Sequence, residues 1–195
     1  MTVLAVDLAA KFSAACLMTD DYAVHMQFDS WGMTEDKFVT YLYELWTYYS
    51  DTEYAPDVMV IEDLPHGLSY STLVKTVCRI QGRIAQALGE DMGDILYLAP
   101  ATWRAHYEMK RGTGPNEVFP VVERFGYKPP DLTQRAKGNG GLSKAKKVQS
   151  DYCSAYLIAR WAIDTKKHAF TYDVPGTSRY ATSVIRKKDF NAQDR

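Results

Sequence analysis

Two stretches of the chain are apolar at almost every position, and each runs into acid. "TVLAVDLA" (2–9) is interrupted only by Asp7, and "PDVMVIED" (56–63) closes on Glu62 and Asp63. A sheet with one wet face alternates apolar and polar residues, so continuous apolar runs predict central strands covered on both sides. Two such strands commit the chain to a sheet sandwiched between layers of helix. They also pose a problem, because a carboxylate at the end of a buried strand is costly to desolvate. Either these acids face open water, or a cation compensates them.

The remaining pattern fits that frame. "SAACLMT" (13–19) and "YAVHMQFDSW" (22–31) follow the first strand at hairpin spacing, with Asp20 and Asp21 in the turn. Thr34 is placed to cap a helix over 35–50, with Phe38, Leu42, Leu45 and Tyr49 on one face. A long helix is predicted over 71–88 from the stripe Leu73, Val77, Ile80, Ile84 and Leu88, which suits a core or a dimer surface. "DILYL" (94–98) reads as another buried strand, and Pro100 opens a short helix. Pro-Pro, a Gly-rich patch and repeated lysines make 127–146 a mobile loop, and a final helix is expected over 148–164. The expected architecture is α/β, a mixed five-stranded sheet flanked by helices, in one domain over 1–172. A tail over 173–195 lacks periodicity and is expected to be partly disordered.

At 195 residues the chain is long enough for one sizeable core. No apolar run approaches the ~18 residues of a membrane span. Three scattered cysteines, Cys16, Cys78 and Cys153, suit a reducing cytoplasm and form no zinc pattern. The net charge of −1 conceals an asymmetry: residues 1–99 carry 5 Lys/Arg against 15 Asp/Glu, whereas 100–147 carry 10 against 4. A basic half joined to an acidic one points to a polyanionic partner.

Asp7, Glu62 and Asp151, the last in the first turn of the final predicted helix, are the acids that do not belong where they stand. If the two apolar strands are neighbours, Asp7 and Glu62 lie side by side, and a helix crossing that edge adds Asp151. Clustered carboxylates repel one another unless a divalent cation sits among them. An all-oxygen set suits Mg2+, with Mn2+ able to substitute, and two such ions activate water and stabilise the leaving oxygen of a phosphodiester. Asp63 should point to the opposite face from Glu62 and is expected to cap the following turn.

"VLAVDLA…SAACLM", the strand ending "VIED", "TLVKTVCRIQGRIAQAL", "LYLAPATWR" and "KKVQSDYCSAYLIARWA" together resemble the RuvC-type Holliday-junction resolvases of the ribonuclease-H-like superfamily, and most resemble a bacteriophage member. The resemblance spans most of 2–164. It implies that Asp7, Glu62 and Asp151 are catalytic metal ligands, that the protein is a homodimer, and that it cuts four-way or otherwise branched DNA. It also marks a departure, since "DYCSA" puts Ser154 where the family has a second aspartate. A serine adds no negative charge, which bears on the second ion.

Lys144, Lys146 and Lys147 precede Asp151, with Lys137 in the Gly-rich patch, and Arg104, Lys110 and Arg111 could extend the same basic surface. Such residues suit phosphate contacts, which supply affinity without reading sequence. The family carries a wedging aromatic soon after its glutamate. Here that position is Pro65, leaving Tyr70 or His66 as substitutes. Two other functions fit less well. A non-cleaving junction binder of the same fold has only Ser154 in its favour, and a sugar-kinase relative lacks the glycine that phosphate amides need after Asp7.

Overall fold

A computed structural model of the protein describes residues 1–9, 11–64, 72–88, 94–109, 117–136, 141–165 and, as backbone, 183–185. The strands are β1 (Thr2–Asp7), β2 (Ala14–Thr19), β3 (Val24–Asp29), β4 (Val58–Glu62), β5 (Asp94–Leu98) and the short β6 (Ser183–Ile185). The helices are α1 (Glu35–Tyr49), α2 (Thr72–Leu88), α3 (Pro100–His106), α4 (Val118–Glu123) and α5 (Gly141–Thr165). A single turn of 3-10 helix occupies Thr133–Arg135.

The sheet runs in the order β3-β2-β1-β4-β5-β6. β1, β2 and β3 form the antiparallel hairpins expected, while β4 and β5 pair parallel to β1 and to each other. The five strands read from sequence are therefore all present as a mixed sheet. β6 adds a sixth, antiparallel to β5, from within the stretch assigned to a tail.

Strand alternation divides the core into two layers. Val3 and Ala5 of β1 and Val58 and Val60 of β4 face α5, together with Trp103 of α3. Leu4, Val6, Met59 and Ile61 face α1 and α2. On that second side the stripe of α2 is core: Val77, Ile80, Ile84 and Leu88 are buried among α1 and strand residues. α1 starts as predicted, with Thr34 Oγ1 accepting from Lys37 N at 3.3 Å. Its first-turn acids hold α2 from outside, Glu35 accepting from Arg79 Nε at 3.0 Å and Asp36 pairing with Arg83.

α5 departs from expectation. It begins at Gly141, seven residues before the predicted start, so Lys144, Lys146 and Lys147 lie on a helix and not on a mobile loop. The physical reason is that Ala145 and Val148 continue the buried spacing backwards, and alanine and lysine are good helix formers. Gly141 itself is dictated by packing, since a Cβ there would come within 2.8 Å of the Ala136 carbonyl carbon. From Ser150 to Ile163 every residue except Arg160 is buried, which makes α5 the central post of its layer.

If the α2 stripe carries core packing, Ile84→Ala should destabilise the protein by about 2–5 kcal/mol in urea unfolding. Arg83→Ala, which removes an exposed ion pair, should cost about 1 kcal/mol or less. Equal effects would contradict this assignment of the helix.

Candidate active site

Parallel pairing sets Val6 beside Ile61, which brings the next residues, Asp7 and Glu62, side by side at the carboxyl ends of β1 and β4. Alternation puts both on the α5 side. Asp7 is 7% exposed and the Glu62 side chain 11%. The two carboxyls face each other closely enough to interact directly. Burial holds both above the ordinary carboxyl range, and the charge of Asp7 pushes Glu62 further up.

α5 crosses this edge and presents Lys147, Asp151 and Ser154, spaced to share one helix face. The Ser154 hydroxyl lies beside Asp7 and favours its ionised form. Asp151 is 6% exposed and its carboxyl is pushed up to about 8, first by burial and then by the charge of Asp7, with Lys147 opposing. Its Oδ2 is buried and has no hydrogen-bond partner among the described residues. α3 closes the other side. Wholly buried Trp103 donates its indole N–H to Glu62 Oε1 at 2.9 Å, and Arg104 Nη2 stands 3.7 Å from the same oxygen.

The structure thus brings Asp7, Glu62, Asp151 and Ser154 to one place, but as a loose group. Among the described residues, no three His, Cys, Asp or Glu side chains are drawn close enough to hold an ion as they stand. The donor set still fits a hard cation: the oxygens are carboxylates, and the orphaned Asp151 Oδ2 is one that the protein itself leaves unsatisfied.

Arg104 reaches the carboxylates, and its charge favours the ionised forms of Asp7 and Glu62. Lys146 and Lys147 line a cleft of about 610 Å³ with Thr133 and Gln149, and Lys144 is exposed nearby. Asp63 faces the other layer, as predicted, with Gln81 Nε2 of α2 at 3.5 Å, and its Oδ1 accepts from Leu64 N at 2.8 Å. His66, Tyr70, Lys110, Arg111 and Lys137 lie outside the described residues.

Two parts of this neighbourhood were missed in the sequence. Asp29 ends β3 opposite Ala14, which is itself opposite Asp7, so the two acids share a row two strands, or about 10 Å, apart. The signal that flagged Asp7 and Glu62, an acid closing a strand, was available for Asp29 too. Trp103 carried no such signal, since only the packing of α3 reveals its partner.

The architecture is a ribonuclease-H-like fold. No protein-family model and no curated protein matches the chain. Among solved structures it is similar to RuvC of T. thermophilus in complex with a Holliday junction substrate. That match has 13% identity and a TM-score of 0.55, and covers 85% of this chain and 96% of that one. It is also similar to the Fowlpox virus resolvase in complex with substrate Holliday junction DNA, at 15% identity and a TM-score of 0.50, covering 86% and 99%. At such identities the likeness establishes the fold.

The raised carboxyls set a pH dependence. A carboxyl that binds its proton more tightly when folded lowers stability as pH rises from its unfolded to its folded value. For Asp151 that window runs from about 3.8 to about 8. Cation-free protein should lose stability across it, as read by thermal unfolding in EDTA. Asp151→Asn should flatten the slope and be more stable than the parent at pH 8, on the order of a few kcal/mol. Added Mg2+ should stabilise the parent more than the variant.

Proposed function

We propose that the protein is a nuclease that resolves four-way and related branched DNA by metal-dependent phosphodiester hydrolysis. The observation that carries this reading is the convergence of Asp7, Glu62 and Asp151 at the edge of β1 and β4, with the cations Lys147 and Arg104 beside them. Three acids raised chiefly by burial at one sheet edge are a poor way to stabilise a fold, and a reasonable way to receive divalent cations and a phosphate.

In this proposal Asp7, Glu62 and Asp151 hold Mg2+, for which Mn2+ can substitute. When bound, Mg2+ supplies water activation and stabilises charge developing on the phosphate. The protein's own groups do the rest. Trp103 fixes one oxygen of Glu62 and leaves the other directed by the remaining contacts. Ser154 orients Asp7. Lys147 and Arg104 offset negative charge that the phosphate adds. Lys144 and Lys146, further along α5, would track the backbone without reading sequence. A homodimer, which the resemblance to RuvC-type resolvases implies, would place two such sites for paired cuts.

A second reading, a junction binder that does not cut, has one observation behind it: Ser154 adds a hydroxyl where a further carboxylate would strengthen cation binding. The two readings separate on a labelled synthetic four-way junction incubated with the protein in Mg2+ or in EDTA, beside linear duplex. Paired nicks that appear only with Mg2+ are expected. Asp7→Asn and Asp151→Asn should each slow them about a hundredfold or more, at about 1.4 kcal/mol per factor of ten, while junction binding persists. Tight binding with no cleavage in Mg2+ or Mn2+ would establish the binder instead.

A further inference from the structure

On the β3 side of the candidate site stands a stack that none of the roles above uses. Two loops leave the sheet at the same end as Asp7 and are tied together: Ser13 N donates to Ser30 Oγ at 2.7 Å, and Ser30 N to the Ser13 carbonyl at 2.9 Å. Their neighbours Phe12 and Trp31 are thereby brought edge to face, with ring centroids 6.2 Å apart. Over the Trp31 ring, 4.8 Å from its centroid, lies the guanidinium of Arg135.

The hydrogen bonds of Arg135 decide what it can do. Nη1 donates to Asp29 Oδ2 at 2.6 Å, and Nη2 donates to Asp29 Oδ1 at 3.2 Å and to the Trp31 carbonyl at 2.8 Å. These bonds lie in the guanidinium plane, and Asp29 neutralises the charge. Arg135 is therefore a poor phosphate ligand, yet its side chain is 42% exposed. What remains open is a flat, rigid, delocalised face already stacked on an indole. Faces of this kind take nucleobases.

The surroundings favour the same ligand. Thr133, in the same 3-10 turn as Arg135, lines the cleft that also holds Lys146 and Lys147. A strand with its phosphates in that cleft would pass the turn with its bases toward Arg135. The row from Asp29 to Asp7 spans about 10 Å, roughly three stacked nucleotides at about 3.4 Å each.

We propose that Trp31 and Arg135, buttressed by Phe12, form a stacking site for an unpaired base near the branch point of the DNA. This rests on the branched-DNA reading and adds to it the part that senses an opened base.

The test uses a four-way junction carrying 2-aminopurine at the branch point, and a second junction with the label in a duplex arm. Both are saturated with full-length protein in EDTA so that nothing is cut. The parent should quench the branch-point label several-fold and leave the arm label nearly unchanged. Trp31→Leu and Arg135→Lys should abolish most of that quench at saturation and weaken junction binding about tenfold, with duplex affinity kept. Arg135→Lys keeps a cation for Asp29 and removes the plane together with the fork. Phe12→Leu serves if Trp31→Leu does not fold. Parental quench and affinity in folded variants would overturn the stacking site while leaving Mg2+-dependent junction cleavage by the parent intact. A parent that binds junction no better than duplex would overturn both.

Discussion

The architecture turns on two carboxyls forced together at the end of a buried parallel strand pair. Register alone sets Asp7 beside Glu62, since β1 and β4 align Val6 with Ile61. Neither acid can turn away, because the opposite face belongs to the layer of α1 and α2. Their repulsion and desolvation are then offset by the elements that touch the edge: Trp103 and Arg104 from α3, and Lys147 and Ser154 from α5. This offset is partial. Directions of titration remain upward for all three acids, so each of them costs the fold stability when it ionises.

α5 is what makes such a site possible on this sheet. A helix with one wet face could not press Asp151 and Ser154 against β1, because its apolar stripe would be turned toward the sheet and its polar residues away. α5 is buried nearly all round between Ser150 and Ile163, so even its polar positions look inward. Its first two turns emerge from that burial and carry Lys144, Lys146 and Lys147 into solvent, beside the cleft bounded by Thr133. One helix thus supplies acid to the interior and base to the rim, and its length couples the two.

Much of this was legible in the sequence because it follows from periodicity. The apolar runs ending in Asp7 and Glu62, the alternation that turns Asp63 to the other layer, and the α2 stripe are all local patterns that tertiary packing preserved. What stayed hidden depends on neighbours distant in the chain. The early start of α5 was masked by glycines and prolines that normally mark loops, although Gly141 is there so that the helix can close on Ala136. Arg104 read as part of a basic surface, and only the seat of α3 on Trp103 turns it toward Glu62. Asp29 stands inside a stretch of alternating polarity, where an acid is ordinary, and only the sheet register sets it in the row of Asp7.

Asp29 is also the internal control for the site. It closes its strand in the same row as Asp7 and is as deeply buried, at 3% exposure. Yet the protein satisfies it completely: Trp31 N, both terminal nitrogens of Arg135 and the Tyr152 hydroxyl all donate to it, the last at 2.8 Å. Tyr152 is the residue next to Asp151, so α5 delivers a donor to one acid and an acid to the others within a single step of chain. A fold able to furnish four donors to Asp29 was able to furnish them elsewhere. Asp151 Oδ2 has no donor among the described residues, and Asp7 and Glu62 face each other with Arg104 Nη2 3.7 Å from Glu62 Oε1. Burial of a carboxylate is therefore not what sets Asp7, Glu62 and Asp151 apart from Asp29. The distinction lies in which acids the surrounding chain leaves incompletely answered, and all three of those lie at the crossing of β1, β4 and α5.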